Sequence, residues 1–423
     1  MVLATLMGIA SGMGWMRVLA ALGALSVIAL FLWDIRIVVP LLLFTFPFGP
    51  RYAMPFGNLY LSTVVVGATL GIWLFRNPFL SRPFSIPRTP VFIALAALLT
   101  AMGLSAVRGV YHLLANPSEL MRFIQFFLYS WLFVIVIQMK MTRNMIKAFL
   151  VLAVAVGVAE GALGVVQWFR APGFYLYGTF DNTHNNFAVY IVFMAILLLG
   201  VALESRRFRV LAVALAALVP LVFSAVFSFS RGGYISIAVA LPVFFVLPIP
   251  RSRKLILLAG SAVLGLLAYY AVPVDLRLRA ESILGNVMGT DVGISAASRF
   301  EMWKVSFQDF LRNPVFGRGT WSYGLRDNFY MKVLGEAGIL GFGAFIVLIY
   351  TILKEEARAL RTSVRDDFVR GMSMGLLPAT VACLVIYNLT GDYVLVHRFM
   401  GVFWIVLALI LKYSWQAGVQ HGE

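Results

Sequence analysis

Three stretches of this chain, residues 91–102, 210–227 and 255–272, are long, free of charge and dominated by Leu, Val and Ala. A helix needs about 20 apolar residues to cross roughly 30 Å of hydrocarbon, and these stretches are built to that measure. Membrane barrels instead show segments of about ten residues alternating in polarity, a pattern absent here. The rest of the chain agrees: 61% of its 423 residues are apolar, 12% are charged, and the mean hydropathy is +0.91. Soluble domains carry about 25% charged residues. Lipid is therefore the solvent for most of this surface, and the chain reads as an all-α polytopic membrane protein.

The apolar periodicity predicts spans at about 15–33, 35–48, 59–75, 91–107, 119–139, 145–167, 185–203, 209–229, 234–249, 255–272, 332–352, 369–390 and 399–412, so about 12–13 transmembrane helices. Asp34 and Arg36 divide the weakest part, the first fifty residues. The apolar N-terminus has no convincing small-residue cleavage site after it and is expected to be a retained first helix. Basic clusters fall on alternate connections: Arg76, Arg82 and Arg88; Lys140, Arg143 and Lys147; Arg206, Arg207 and Arg209; Arg251, Arg253 and Lys254; and Lys354, Arg358, Arg361, Arg365 and Arg370. The positive-inside rule places them in the cytoplasm, with the C-terminus. The connections 51–58, 108–118, 168–184, 230–233, 273–331 and 391–398 then face outward. The expected organisation is an N-terminal helix bundle over 1–272, an extracytoplasmic segment over 273–331 and C-terminal transmembrane helices over 332–423, all in one integral domain.

The net charge of +16 is explained by these loops, without nucleic acid. The single cysteine, Cys383, excludes an intrachain disulfide. His112, His184, His397 and His421 are scattered, so the expectation is no metal and no cofactor. No internal repeat at helix-pair scale is visible, which argues against an inverted-repeat transporter.

Arginines gather on the predicted outer side, against the inside bias. Arg231 sits in Ser230-Arg231-Gly232-Gly233 with almost no loop around it. A charge so close to hydrocarbon is costly and often marks a site, although an arginine can also snorkel to head groups. In the long segment 273–331, Phe300, Trp303, Phe307, Phe310 and Leu311 recur at helical spacing, and Arg299 opens that amphipathic helix. Asn313-Pro314 and Gly317-Arg318-Gly319 end it in a tight turn. Guanidinium groups bind phosphate oxygens in a two-pronged fork, so an anionic, phosphate-bearing ligand would explain Arg231, Arg299 and Arg318. A second polar cluster, Gly178 to Phe187, contains Asn182, His184 and Asn186, with Tyr177 just before it. Its amides suit either sugar hydroxyls or a helix cap. A third cluster joins Asp327 and Asn328 to Glu336 near the start of an apolar helix. A buried Glu336, like Glu160 within another span, would demand a partner such as an outer arginine.

In order, these motifs resemble the O-antigen ligase/polymerase superfamily of bacterial envelope glycan enzymes. The matching stretches are Gly178-Thr179-Phe180 with Asn182 and Asn186-Phe187-Ala188; Phe229 to Gly233; Ser298 to Trp303; Asn313 to Gly319; and Asn328 with Glu336 to Gly341. The resemblance covers residues 160–350 and implies a GT-C-like, metal-independent, inverting glycosyltransferase of the bacterial inner membrane. Its partners would be an undecaprenyl-diphosphate-linked oligosaccharide donor, a glycan or lipid-linked acceptor, and membrane lipids. Arg231 and Arg299 match the arginines that engage the donor diphosphate, with Arg318 a third by position. Asn182, Asn186, Asn328 and Tyr177 would line the glycan, and Asp327, Glu336 and His184 are the catalytic candidates. Ligases of the superfamily carry a His-Asn or His-Ser pair where this chain has Asp327-Asn328. Asp327 would have to replace that histidine, or His184 or His397 would come from another loop. This departure favours a polymerase of lipid-linked repeats over a ligase acting on lipid A-core. A transporter of anionic lipid is the alternative from another class.

Overall fold

A computed structural model describes residues 34–54, 57–79, 89–110, 117–172, 175–180, 183–271, 294–320, 328–362 and 366–418. The predicted span 15–33, the retained N-terminal helix, and the residues Asn182 and Asp327 lie outside that set.

Among the described residues the chain is all-α apart from one hairpin. A single 3₁₀ turn, Ile35–Ile37, leads into α1 (Val38–Phe48). Asp34 caps that turn by accepting the Arg36 N–H, and its carboxylate pairs with the Arg36 side chain at 2.6 Å. The charges that divide the early sequence thus neutralise each other at a helix start. The predicted outer link 51–58 is a hairpin, β1 (Arg51–Met54) and β2 (Gly57–Tyr60), with Arg51 opposite Tyr60. Next come α2 (Leu61–Phe79), α3 (Pro90–Arg108), α4 (Pro117–Gln138), α5 (Arg143–Arg170), α6 (His184–Glu204) and α7 (Phe208–Phe227). These are followed by α8 (Arg231–Val246), α9 (Arg251–Ala271), α10 (Ile294–Arg312), α11 (Phe329–Thr362), α12 (Asp367–Ala379) and α13 (His397–Gly418). Helix starts are written locally: Thr89 and Thr142 cap α3 and α5 by accepting the N–H of Phe92 and Met145, and Pro90 takes the first helical position.

Among the described residues eight helices are long and apolar enough to cross a bilayer, and Ile35–Phe48, Leu61–Leu74 and Arg231–Val246 are shorter apolar helices. The core sits on α6 and α13, whose apolar windows are 89% and 83% buried. The window of α7 is 22% buried, and it turns Phe208, Val213 and Val219 outward, as a lipid-facing helix would. Small residues bring α6 against α12: a Cβ at Gly200 would lie 2.4 Å from the Gly371 carbonyl oxygen. Such contact lets van der Waals packing replace the hydrophobic force that lipid cannot supply.

Several predicted boundaries move. The amphipathic helix begins at Ile294 rather than at Arg299, so Arg299 lies in its second turn. Arg231 is the first residue of α8, not part of a loop. Lys354, Arg358 and Arg361 ride on the last turns of α11 instead of forming a loop. The span 369–390 is α12 continued by a π-helical stretch, Thr380–Ile386, and a 3₁₀ turn, Tyr387–Leu389.

Most of the predicted inside clusters gather at one end. Lys147 pairs with Asp366 at 2.8 Å and Arg370 with Glu204 at 3.4 Å. Arg253 donates to the carbonyls of Leu203 and Ser205, and Arg143 donates to that of Gln416 at 2.6 Å. The other end carries the residues singled out for chemistry.

Candidate functional site

The site is built where α7 hands over to α8. Phe229 bridges them with φ +53°. That left-handed conformation is unfavourable for a bulky side chain, and packing must hold it. Phe229 is buried against Trp168, Phe227 and Tyr175, with ring centroids 6.0–6.2 Å away. The turn delivers Ser230, whose Oγ accepts the Gly233 N–H as the N-cap of α8. The same hydroxyl donates to Asn185 Oδ1 at 2.7 Å and lies 2.6 Å from the Tyr387 hydroxyl, which also donates to the Asn185 carbonyl at 3.1 Å. Gly232 is required by close approach: a Cβ there would sit 2.7 Å from Thr390 Oγ1. Three segments remote in sequence therefore meet around Ser230.

Arg231 follows, half-buried at the first position of α8. The positive end of a helix is a poor place for a cation. Its guanidinium is further repelled by that of Arg299, carried in from α10. No carboxylate among the described residues pairs with Arg231. Two arginines at a helix N-terminus concentrate positive potential, the electrostatic requirement of an anion site.

The second cluster forms a rim beside it. Gln167 Oε1 on α5 accepts the N–H groups of Tyr177 and Gly178, both at 3.1 Å, and Glu160 Oε1 accepts that of Thr179 at 2.7 Å. Gly178 turns with φ +51°, and a Cβ there would lie 2.1 Å from Glu160 Oε1. Tyr177 is half-buried. His184 opens α6 and stacks on Tyr175 at 4.5 Å and 23°. Asn186 lies half-buried in the same first turn, one residue from the Asn185 that holds Ser230. His397, the alternative histidine, is enclosed elsewhere by the rings of Tyr60 at 3.8 Å and Tyr129 at 5.7 Å.

The third cluster is a docking joint. Gly338 has φ +63° and breaks α11. The turn after α10 crosses that break in a ladder of backbone bonds: Arg318 N to Gly335 O at 3.0 Å, Gly319 N to Glu336 O at 3.0 Å, and Ile339 N to Pro314 O at 2.8 Å. α3 seals the other side, with Thr320 Oγ1 donating to Met102 O and Ser105 Oγ donating to Glu336 O. Arg318 lies 3.3 Å from Asp309. Glu336 meets Lys332, one turn earlier, at 3.1 Å, with both side chains no more than 4% exposed. The expectation of a partner for Glu336 holds, and the described partner is a lysine. Asn328 is buried and caps α11 by accepting the Met331 N–H at 3.1 Å.

The structure thus brings Arg231 and Arg299 together and sets His184, Asn186 and Tyr177 on an adjoining rim. It holds Arg318, Asn328 and Glu336 in the joint that fixes α10. Sequence reasoning missed Asn185, Gln167, Tyr387 and Arg398, whose roles depend on partners far along the chain.

No curated protein matches the chain. A family profile described as O-Antigen ligase matches residues 216–346, which span the Ser230-Arg231 start of α8, Arg299 on α10 and the Gly338 joint. The motifs that resemble the family therefore fall at one end of one helix bundle. Through this segment the chain is similar to the O-antigen ligase/polymerase superfamily.

Proposed function

We propose that the protein is a glycosyltransferase that moves a glycan from undecaprenyl diphosphate to an acceptor sugar hydroxyl at the outer face of the bacterial inner membrane. The observation that carries this reading is the juxtaposition of Arg231 and Arg299, two guanidinium groups that repel each other at a helix N-terminus. A diphosphate between them would turn that repulsion into attraction. In the reaction an acceptor hydroxyl oxygen attacks the anomeric carbon from the face opposite the leaving group. The bond from that carbon to the phosphate oxygen breaks, and the diphosphate departs with the electron pair. Fixed guanidinium groups stabilise the charge that builds on it, without needing to reorganise.

The hydroxyl proton passes to a general base. Glu336 is engaged with Lys332 beneath the 317–319 turn, which suits a positioning role. Asp327, which precedes Asn328 in the sequence, and His184, on the rim, are the bases we favour. The aspartate where ligases carry histidine supports a polymerase that joins lipid-linked repeats. The second reading is a ligase acting on lipid A-core, and the profile match is compatible with both.

Deletion of the gene separates the two. Loss of a polymerase leaves single-repeat material on the acceptor, whereas loss of a ligase leaves polymer on the lipid carrier. Arg231→Ala and Arg299→Ala test the chemistry common to both. Each variant should abolish glycan transfer while the purified protein stays folded in detergent; full-length product from both would refute the diphosphate clamp.

A further inference from the structure

Arg398 opens the last helix, α13, yet is only 4% exposed. A buried guanidinium needs acceptors for its donors, and this one finds main-chain carbonyls. It donates to Pro47 O at 2.9 Å, to Gly49 O at 3.3 Å and to Thr179 O. The rings of Tyr60 and Phe180 lie 5.2 and 5.3 Å from its charge centre. Glu160, in the interior of α5, is fully buried. Its Oε1 accepts the Thr179 N–H at 2.7 Å and lies 3.1 Å from Thr179 Oγ1. One residue thus stands between two buried ionisable groups: the Glu160 carboxyl accepts the N–H of Thr179, and the guanidinium donates to its carbonyl.

Nothing in the diphosphate clamp uses this pair. Its chemistry points at the loop. Glu160 and Gln167, seven positions apart on one face of α5, hold three successive N–H groups, those of Tyr177, Gly178 and Thr179. Phe180 N donates to Tyr177 O at 2.8 Å, and Thr183 N donates to Phe180 O at 2.9 Å. The next residues, His184 and Asn185, begin α6, and Asn185 receives the Ser230 hydroxyl immediately before Arg231. Backbone bonds and one side-chain contact therefore connect the buried charges to the diphosphate arginine.

We propose that Glu160 and Arg398 are positioning residues that lock residues 175–180 in register with the start of α6 and Arg231, so that the sugar next to the diphosphate is held for attack. This rests on the glycosyl-transfer reading above. Moving a reacting group by about 1 Å costs on the order of 100-fold in rate, so loosening the loop should lower turnover more than binding.

The test uses the full-length protein in detergent with a polyprenyl-diphosphate-linked oligosaccharide as donor. Undecaprenyl diphosphate serves as the binding probe. Glu160→Gln keeps the shape of the carboxylate and Arg398→Lys keeps the charge without the fork. Both should bind the probe within about threefold of the unaltered protein and leave KM nearly unchanged, while kcat falls about 10- to 100-fold. Arg231→Ala should instead lose the probe. Absence of probe binding by the unaltered protein would defeat the glycosyl-transfer reading. Normal binding with wild-type kcat in both conservative variants would defeat the positioning role alone, and so would losses of kcat and probe binding in equal measure. Amide hydrogen exchange of the unaltered protein is a check that needs no variant. Peptides covering 175–180 should be strongly protected, and exchange at free-peptide rates would overturn the proposal.

Discussion

The two ends of the helix bundle use charge in opposite ways. At the end carrying the basic clusters, the less exposed cations find partners within the protein. Lys147 meets Asp366, Arg370 meets Glu204, and Arg358 meets Glu355 at 2.6 Å. Arg253, Lys254 and Lys412 reach the main-chain carbonyls of Leu203, Phe245 and Ile137. Several of these carbonyls lie at or near helix C-termini, where cations are electrostatically favoured. At the other end Arg231 sits at a helix N-terminus, the unfavourable pole, and faces a second arginine. Charge kept against the helix dipole and against a like neighbour needs a ligand to neutralise it.

This contrast can be broken most directly by the double variant Arg231→Ala/Arg299→Ala. If both arginines act on one diphosphate, the pair should lose about as much transfer rate as either single change, because groups acting as a unit are strongly non-additive. Losses that multiply would mean two separate sites. The next largest effect concerns the joint. Gly338→Ala would place a Cβ 2.4 Å from the Val315 carbonyl oxygen at φ +63°. We expect a loss of at least about 2 kcal/mol in stability or an undocking of α10, read as faster hydrogen exchange over 294–320. An unaltered exchange pattern would remove the joint from the account of how Arg299 is placed.

The smallest effect belongs to the opposite end. Burial alone would raise the Asp366 carboxyl, but the Lys147 ammonium and the N–H groups of Val369 and Phe368 outweigh it and hold the carboxyl below its ordinary value. Its folded value is lower than its unfolded value, so its stabilisation is complete above the unfolded pKa of about 3.9 and is lost as pH falls through the folded value. Asp366→Asn should cost about 1 kcal/mol, because the amide oxygen can still cap α12 and only the partly exposed ion pair is lost. Transfer activity near neutral pH should be unchanged. A large activity loss in this variant would erase the distinction between the ends.

Much of the architecture was legible in the residues, for a physical reason. Hydrocarbon offers no hydrogen bonds, so a spanning segment must satisfy its own backbone, and a run of about 20 apolar residues admits one solution. Local caps need only near neighbours, because Ser230, Thr89 and Thr142 act within three positions of themselves. Arg231 and Arg299 stood out as charges that topology did not explain. Their meeting did not follow from spacing, since α9 and more than a further turn of chain separate them. The break at Gly338 was likewise hidden, because its need for glycine comes from Val315 and Gly317 crossing over it.

Glu160 and Arg398 mark the boundary between the two kinds of information. Composition and periodicity determined that each charge lies in or beside an apolar helix, and hence that it must find partners. Which partners it finds was decided only by the tertiary structure. The Thr179 carbonyl that Arg398 holds lies 219 positions away in the chain, and a main-chain carbonyl carries no mark of residue type. Any backbone oxygen would serve the chemistry equally well. The packing of α5 and α13 around one loop selects this one, because burial makes every unfilled donor and acceptor costly at once.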